Sequence, residues 1–485
     1  MSGSWARNTG LGILWSAGTF VVGRLLAFAT LLVLARLLTP SEFGVVAAIT
    51  VFLTIIEMVS DLGMKAVVVY EQEEGVTRRV QTAFTVNLIF AAVLTVLAFL
   101  AAPLVAGFFH SEAHTDLYRL ASLNLLLSAL GNIHDGMLLR DVDFRRRSRP
   151  ELVRGVARGA VGIALAATGF GAASLVWSLL AGSAARGVAL WAMVPLRPSL
   201  TLDWGILRTM RSYAAAASAH MLLSEIARAA DAGAIGRILG ERALGIYTVA
   251  MRVPELAIRT VSWNLSMVLF PALSQRRATD AQSLGKAALE LTRLQALYIL
   301  SVAACLATLA TPLVIVLFSS TWESAGPVMA VLACLAACEV ITMPLGDAMR
   351  AVGQQRVLVW VSAIIVPAQV AAVIVAAPQG IVAVAWSLLG VQSAFAALVC
   401  LAAGRTIGVS VTEISRALAP GVVAAAGTAA AAYAVHQAWN EASLPAVAAA
   451  SLAGALGAVA ALRLLAVSTY RDVRSAVASG LGSIR

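Results

Sequence analysis

Long apolar stretches alternate with short polar breaks along the whole chain. Apolar runs of roughly 20 residues, the length that crosses a bilayer as a helix, can be counted fourteen times. They lie at about 10–38, 42–64, 80–107, 116–139, 151–169, 172–194, 209–239, 243–270, 286–318, 326–348, 357–376, 380–403, 413–437 and 445–467. Transmembrane β-strands would alternate polar and apolar side chains, and the run from Leu88 to Ala106 does not. The pattern predicts an all-α polytopic membrane protein with fourteen transmembrane helices.

Composition and charge agree with this interpretation. Apolar residues make up 60% of the 485 positions and charged residues only 12%, far from the range of soluble proteins. The basic residues behind the net charge of +10 concentrate in alternate loops, which the positive-inside rule places in the cytoplasm together with both termini. No basic stripe is interleaved with stacking aromatic residues, so no nucleic-acid partner is expected.

An internal repeat divides the chain. The segment R-L-L-T-P-S-E-F-G begins at Arg36, and R-I-L-G-E-R-A-L-G begins at Arg237, 201 positions later. A second pair, G-A-A-S-L-V-W-S-L-L from Gly171 and G-I-V-A-V-A-W-S-L-L from Gly380, has an offset of 209. Six helices per half is an even number, so the repeats are parallel. The predicted parts are a six-helix lobe at 1–200, its repeat at 201–405, two additional helices at 406–469 and a cytoplasmic tail at 470–485.

Several segments carry a resemblance to a known family. They read L-A-R-L-L-T-P-S-E-F-G-V-V-A, S-D-L-G, L-R-D-V-D-F-R-R-R, D-A-G-A-I-G-R-I-L-G, L-F-P-A-L-S and W-E-S-A-G-P. From about Trp5 to Arg405 the chain resembles the polysaccharide-exporter branch of the multidrug/oligosaccharidyl-lipid/polysaccharide flippase superfamily. That branch includes the O-antigen type flippases and is related to the lipid II flippases. The last two helices match by hydropathy alone.

The resemblance implies a V-shaped, two-lobed, alternating-access transporter in the bacterial cytoplasmic (inner) membrane. Its substrate would be an undecaprenyl-pyrophosphate-linked oligosaccharide, moved across the membrane for cell-surface polysaccharide biosynthesis, such as lipopolysaccharide or exopolysaccharide. The expected partners are this glycan, membrane lipids, a polysaccharide polymerase and glycosyltransferases. No cofactor is expected, and the driving force would be Na⁺, H⁺ or the membrane potential.

Other functions stay open. A small-cation or drug antiporter of the same superfamily would need an anionic, aromatic pocket, whereas the deep charges here are mostly arginines with matching carboxylates. A membrane glycosyltransferase or polymerase would need catalytic groups on a sizeable outer loop, and the longest outer loop runs only from His110 to Asp116. A non-transporting scaffold with the same fold is a further alternative.

Charges deep in the first half are candidates for binding and coupling. Arg24 lies near the middle of the first helix, where an ionised arginine costs at least ~2.5–3.5 kcal/mol without water or a partner. It could contact pyrophosphate, pair with Glu57 or reach an interface. Glu57, Asp61 and Lys65 share one helix face. Glu57 and Asp61 are candidate sites for the coupling ion, although Glu57 could instead pair with Arg24 and Asp61 with Lys65.

The second half repeats this arrangement on its first two helices. These charges are either a mutually paired network or an anion site, and they are Glu225, Arg228, Asp231, Arg252, Glu255 and Arg259. We favour Arg259 and Arg252 over Arg228 as substrate contacts, and Glu225 and Asp231 are candidates for the coupling ion. Asp231 matches the family pattern, whereas Glu225 and Arg228 depart from it.

Further arginines are gate or vestibule candidates. The repeat-equivalent residues Arg36 and Arg237 end a helix at the outer surface and either form a gate or cap helix carbonyls. Arg186 could line the inner vestibule and bind substrate. Cys334 and Cys338, one turn apart, could suit a soft metal, but no histidine or carboxylate is placed to complete a site. They are interpreted as small apolar residues, and no metal is expected.

Overall fold

A computed structural model describes residues 22–61, 76–140, 144–195, 200–266, 281–439 and 441–466. These residues form helices joined by short turns, and no strand occurs among them. Within the helices, the side chains of 58–61, 76–79, 144–145, 204–228 and 281–283 lie outside the description.

The helices of the first half begin with α1 at 22–37. Next come α2 (Pro40–Asp61), α3 (Val76–Phe108), a 3₁₀ turn (Glu112–His114), α4 (Thr115–Arg140), α5 (Phe144–Ala167) and α6 (Ala172–Met193). The helical segment Trp204–Pro254 breaks at Gly240, whose φ of 82° and ψ of −178° are not helical. We name its two parts α7 (204–239) and α8, which continues through a π-helical turn (Glu255–Arg259) to residue 266.

The second half continues with shorter pieces and long helices. They are α9 (Ala281–Thr308), α10 (Ala310–Phe318), a 3₁₀ turn (Ser320–Trp322), α11 (Ala325–Val340), α12 (Met343–Ala351), α13 (Gln355–Ala376), a 3₁₀ turn (Ala377–Gln379), α14 (Ile381–Thr406), α15 (Val411–Trp439) and α16 (Leu444–Leu465). Each of the fourteen apolar runs overlaps helix in the part of the chain that the structure describes. Nine of the described helical segments, one of which joins α11 and α12, are long and apolar enough to cross a membrane. The all-helical fold is confirmed, and the count of fourteen spans stays a prediction.

Two predicted spans are each built from two helices. The span at 286–318 breaks at Leu309 between α9 and α10, and the span at 326–348 breaks between α11 and α12. Pro312 and Pro344 follow these breaks, and a proline cannot donate to the carbonyl four residues earlier. The missing bonds fall at Thr308 and Val340, the last residues of α9 and α11.

The described helices pack into two compact units, Met1–Gly245 and Ile246–Arg485. In the first unit α5 packs on α6, and α4 packs on α3 and α6. In the second unit α9 packs on α15, α15 on α16, and α11 on α9 and α14. Among the described spans, Ala325–Ala351 is the most deeply buried, since 72% of its most apolar stretch is enclosed by the rest of the protein. For the span that contains α13, only 11% of that stretch is enclosed. The predicted four-part division stays a prediction.

Small residues bring α15 and α16 into backbone contact. A Cβ added to Gly427 would lie 2.5 Å from the carbonyl oxygen of Gly457, and one added to Gly457 would lie 2.3 Å from that of Gly427. Gly421 of α15 meets the backbone of Ala296 on α9 in the same way. The small-residue faces thus permit close packing between helices.

Candidate functional site

The guanidinium of Arg259 faces a carboxylate from another helix of the second unit. Arg259 ends the π-helical turn of α8, and Glu339 lies next to the last residue of α11. Nε of Arg259 is 2.5 Å from Oε2 of Glu339, and Nη2 donates to Oε1 over 2.9 Å. The side chains are 25% and 32% exposed. Nη2 makes the one hydrogen bond of this ion pair, and the buried Nε lies close to the second oxygen without a hydrogen bond to it.

The backbone beneath Arg259 has an irregular shape. Pro254 lacks an N–H group, and the five residues that follow it form the π-helical turn. The hydroxyl of Tyr298 on α9 donates to the carbonyl of Ala257 over 2.5 Å. Arg252, one turn before the π-helical turn, is exposed and pairs with Glu255 over 3.1 Å. The two favoured arginines thus differ in environment: Arg259 is largely buried and pairs with another helix, whereas Arg252 is exposed and pairs within its own helix.

In the first unit a buried amide connects Glu57 to α6. Nδ2 of Asn124 on α4 donates to Oε1 of Glu57 on α2 over 2.6 Å. Oγ of Ser183 on α6 donates to Oδ1 of Asn124, also over 2.6 Å. Asn124 is 3% exposed and Ser183 is 8% exposed. Two hydrogen bonds therefore join three helices through one buried amide, and the carboxylate of Glu57 is one of the groups they connect.

Arg186 belongs to an ion-pair network at the ends of α4, α5 and α6. Its Nη2 is 3.2 Å from Oδ2 of Asp135, and its Nε donates to Oε1 of Glu151 over 2.6 Å. Arg147 also contacts Asp135, with Nε 3.0 Å from Oδ1, and Arg154 contacts Glu151 over 3.4 Å. Only 14% of the Arg186 side chain is exposed. Three arginines and two carboxylates leave this network with a formal charge of +1.

The other candidates are less defined. Arg24 is exposed on α1. Asp231 is 8% exposed, and its Oδ1 accepts the N–H of the next residue over 2.7 Å. Asp61 is the last residue of α2, and Glu225 and Arg228 belong to α7, but these three side chains lie outside the description. The roles proposed for them stay predictions.

The gate candidate Arg237 binds a histidine from the turn after α3. Its Nη1 is 2.6 Å from Nε2 of His110, and its guanidinium lies over the ring of Phe108, 5.4 Å from the centroid. His110 has a φ of 57°, a left-handed conformation that is uncommon for residues other than glycine. The repeat-equivalent Arg36 is exposed at the end of α1.

The two copies of the repeat segment meet within the first unit. A Cβ on Gly44 would lie 1.7 Å from the carbonyl oxygen of Glu241, and a Cβ on Gly245 would lie 1.9 Å from that of Pro40. Gly44 and Gly245 are 201 positions apart, as are Pro40 and Glu241. The contact is thus symmetric with respect to the repeat, and each copy supplies one glycine and one carbonyl.

The carboxyl of Glu241 is part of the same region, outside the membrane spans. Burial raises the pKa of Glu241, and the positive charge of His114 together with a hydrogen bond from Ser111 offsets part of this rise. Ser111 also shares a 2.9 Å hydrogen bond with the hydroxyl of Tyr118. A carboxyl group with a raised pKa, that of Glu241, therefore lies beside the contact between the repeat segments.

The described residues contain no group of three or more histidine, cysteine or acidic side chains that could hold a metal ion. Cys338 contacts the hydroxyl of Ser393 at 3.6 Å, and Cys334 is exposed. The interpretation of these cysteines as small apolar residues stays a prediction.

Comparison with known proteins identifies the family. Residues 33–327, more than half of the chain, match the family described as polysaccharide biosynthesis protein. The chain belongs to this family.

Two curated relatives of this family member come from different bacteria. It is 27% identical over 358 residues to the succinoglycan biosynthesis transport protein ExoT of Rhizobium meliloti (strain 1021), covering 73% of this chain and 70% of ExoT. It is 23% identical over 301 residues to the teichuronic acid biosynthesis protein TuaB of Bacillus subtilis (strain 168), covering 61% of this chain and 62% of TuaB. The chain thus spans less than two thirds of TuaB.

Solved structures share the fold of this family member. The lipid II flippase MurJ in an inward closed conformation superposes with a TM-score of 0.78 at 13% identity, over 95% of this chain and 99% of that one. An inward-facing multidrug resistance MATE family transporter gives 0.62 at 15% identity, over 80% and 94%. The expected family resemblance is confirmed, and so is the expected all-helical fold, which this chain shares with both transporters.

The structure gives partners to some predicted residues and adds residues that the sequence interpretation missed. Arg259 was predicted, and Glu339 was not. The signal was present, because Glu339 is the one carboxylate in the apolar sequence of α11. Asn124 and Ser183 gave no signal, since an amide and a hydroxyl in a membrane helix are common and their contacts depend on the packing of α4 and α6.

Proposed function

We propose that this transporter moves an undecaprenyl-pyrophosphate-linked oligosaccharide from the inner to the outer leaflet of the bacterial cytoplasmic membrane, with both termini in the cytoplasm. The observation that carries the proposal is the largely buried guanidinium fork of Arg259, which pairs with a carboxylate from another helix through one hydrogen bond and a second close nitrogen–oxygen approach. The family membership and the names of the relatives, which concern succinoglycan and teichuronic acid, support a glycan substrate. A polymerase and glycosyltransferases would act on the product and the precursor.

The pyrophosphate suits this fork for chemical reasons. Guanidinium remains charged at any physiological pH and donates in a plane to two oxygens at once. Glu339 holds the fork when no substrate is present and gives way when pyrophosphate arrives. Exchange of one anion for another avoids an unpaired arginine inside the membrane, which would cost at least ~2.5–3.5 kcal/mol. The empty transporter is therefore stable with its binding group in place.

The remaining arginines have supporting roles in this proposal. Arg24 and Arg252 are exposed and make further contacts with the phosphates, as does Arg228. Arg186, in a network with net positive charge, draws the anionic head group inward. Arg36 and Arg237 belong to the outer gate, where the two glycine contacts lie.

The test is translocation of a fluorescent undecaprenyl-pyrophosphate oligosaccharide between leaflets of liposomes that contain the purified protein. Loss of a charge-assisted contact costs about 1.5–3 kcal/mol, so Arg259→Ala should lower the apparent affinity roughly 10- to 100-fold. Arg24→Ala should also reduce transport. Arg405→Ala removes an exposed arginine from the last turn of α14 and should change the rate less than about twofold, since it breaks no proposed contact.

A second variant separates substrate binding from a purely structural ion pair. Glu339→Gln removes the resident anion but keeps the side-chain shape, so the proposal expects tighter binding of the pyrophosphate head group. A structural pair would show lower thermal stability with no gain in affinity. If the native protein moves no lipid-linked sugar and instead exchanges a small organic cation for H⁺ or Na⁺, the protein is a cation antiporter and the proposed function is wrong.

A further inference from the structure

Helix α8 contains a turn that takes in one residue more than a regular α-helical turn. The N–H group of Thr260 donates to the carbonyl of Glu255, five residues earlier instead of four. Pro254, directly before this turn, cannot donate to the carbonyl of Ala250 and so interrupts the regular series of hydrogen bonds. Single π-helical turns of this kind occur inside α-helices, often at functional sites. Because Arg259 is the last residue of the turn, its direction depends on whether the turn is π-helical or α-helical.

The two forms of the turn would point Arg259 in different directions. One residue of an α-helix corresponds to a rotation of about 100° and a rise of about 1.5 Å. Conversion of the π-helical turn to α-helix would therefore rotate Arg259, and the part of α8 after it, by roughly 100° relative to the residues before Glu255. A rotation of this size would take the guanidinium away from Glu339, which lies on α11.

A tyrosine from another helix holds the π form. The hydroxyl of Tyr298 on α9 donates over 2.5 Å to the carbonyl of Ala257, the middle residue of the turn. The turn packs against α9 and α11, and its residue Ile258 is fully buried. A backbone carbonyl moves when a turn changes its register, whereas Tyr298 is fixed to α9. The bond from Tyr298 therefore stabilises the π form in particular.

The π form leaves two buried donors without a hydrogen bond. Ser262 is 1% exposed, and its Oγ has no hydrogen-bond partner in the part of the chain that the structure describes. Buried hydroxyls on other helices, those of Thr292 and Thr428, donate to the carbonyl four residues earlier. For Ser262 that carbonyl belongs to Ile258, which lies inside the turn. Nε of Arg259 likewise has no hydrogen bond among the described residues.

The two forms thus differ in which hydrogen bonds they make. Buried donors without acceptors are rare, and they destabilise the form that contains them. In a regular α-helical turn the hydroxyl of Ser262 would have the carbonyl of Ile258 within reach. The π form gains the bond from Tyr298, and the α form gains the bond of Ser262. Each form therefore has a stabilising hydrogen bond that the other lacks, as a two-state element requires.

We propose that the turn Glu255–Arg259 is a two-state element that positions the guanidinium of Arg259. In the π form the turn holds Arg259 against Glu339, and in the α form it turns Arg259 away from Glu339 and frees it for pyrophosphate. Tyr298 and Ser262 are positioning residues, since they favour one form each and do not contact substrate. The inference rests on the proposed function for the identity of the anion but not for the existence of the two forms.

Two substitutions should change the affinity for a pyrophosphate in opposite directions. Tyr298→Phe removes the bond that holds the π form and should raise the affinity for farnesyl pyrophosphate about fivefold, the factor that corresponds to one ordinary hydrogen bond. Ser262→Ala removes the hydroxyl that only the α form satisfies and should lower this affinity by about the same factor. The double variant should return close to the native value. Calorimetric titration of the protein in nanodiscs, with empty nanodiscs as the blank, measures these affinities.

Matched controls make the same chemical changes at exposed positions of α15. Tyr433→Phe and Ser415→Ala should each change the affinity by less than about twofold. A merely structural role of Tyr298 predicts lower stability with no gain in affinity, so the gain separates positioning from packing. In the translocation assay Tyr298→Phe should lower KM and the maximal rate together, because bound substrate is released more slowly. If both variants weaken binding, or if neither alters it, the proposal is overturned.

Fluorine NMR detects the two forms without any substrate. Trp263 follows Arg259 by one turn and is 62% exposed, so rotation of this part of α8 would change the surroundings of its ring. Protein that contains fluorotryptophan should give two resonances that Trp263→Phe removes. The minor resonance should grow in Tyr298→Phe and shrink in Ser262→Ala.

The NMR experiment also separates this inference from the proposed function. A single Trp263 resonance that is the same in the native protein and in both variants overturns the two-state turn. Resonances that respond as expected, in a native protein that does not bind farnesyl pyrophosphate, contradict the proposed function and leave the two-state turn standing.

Discussion

The reciprocal contact between Gly44 and Gly245 predicts a sharp cost for one added methyl group. A Cβ on Gly245 would lie 1.9 Å from the carbonyl oxygen of Pro40, and ordinary contact begins near 3.4 Å, so the backbones must separate by 3.4 − 1.9 = 1.5 Å. On Gly44 the separation is 3.4 − 1.7 = 1.7 Å. The obstacle is main chain in both cases, and it cannot rotate away as a side chain could.

The magnitude follows from two opposing effects. Overpacking costs about 1–3 kcal/mol, and a rigid backbone obstacle places this contact near the upper end. Replacing a helical glycine by alanine returns up to about 1 kcal/mol of helix propensity. We expect each of Gly44→Ala and Gly245→Ala to lower the free energy of unfolding by about 2 kcal/mol, which corresponds to a fall in melting temperature of roughly 4–8 °C.

Thermal unfolding in lipid nanodiscs, followed by tryptophan fluorescence, measures this effect. The matched control is Gly233→Ala on α7, because a Cβ there meets nothing within 4 Å; it should be neutral or slightly stabilising. In the double variant the second methyl enters a contact that the first has already opened, so the effects should fall short of additivity by about 1 kcal/mol. The reasoning would be refuted if either single variant were as stable as Gly233→Ala. It would also be refuted if the losses of stability of the two single variants added fully in the double variant, because the two segments would then not be in contact.

Three further predictions concern other contacts. Asp135→Asn removes the shared partner of two arginines and should cost about 3 kcal/mol, whereas Asp116→Asn, in an exposed pair, should change the melting temperature little. The pKa of Glu241 is raised in the folded protein, so the contribution of this carboxyl to stability is fully present below the unfolded pKa and is lost as pH rises through the folded pKa. The melting temperature should therefore fall over that pH window. The variant Glu241→Gln, which cannot ionise, should lack this fall. Gly427→Leu should separate α15 from α16 and lower the melting temperature, with Gly390→Leu, which has open space at Cβ, as the control.

The helices were predictable because apolar length alone indicates a membrane span. Their interruptions were harder to predict. Pro312 and Pro344 each remove one backbone hydrogen bond, and the helix breaks at the carbonyl that loses its donor. A proline at Pro103 lies inside α3 without a break. Packing against neighbouring helices decides whether a helix breaks or continues at a proline. The sequence of that helix alone therefore does not predict which of the two occurs.

The candidate site was predictable in its charges and not in their partners. Arg252 and Glu255 are three residues apart on one helix, so their pair follows from helical spacing. Arg259 and Glu339 are 80 residues apart, and their contact depends on how α8 and α11 pack. The repeat similarly predicts that Gly44 and Gly245 are equivalent, but equivalence does not imply that the two segments touch.

Pairing with a carboxylate is the expected resting state of an arginine that binds a transported anion. An arginine inside a membrane must be neutralised before its substrate arrives, since otherwise it costs at least ~2.5–3.5 kcal/mol. A search for unpaired cations would therefore pass over the residues that bind anions. The two ion pairs differ in how easily the carboxylate can leave the arginine. Glu339 lies on a different helix from Arg259 and can be displaced when the packing of α8 against α11 changes. Glu255 lies on the same helix as Arg252 and stays close to it. By this criterion Arg259 is the stronger candidate of the two for contact with pyrophosphate.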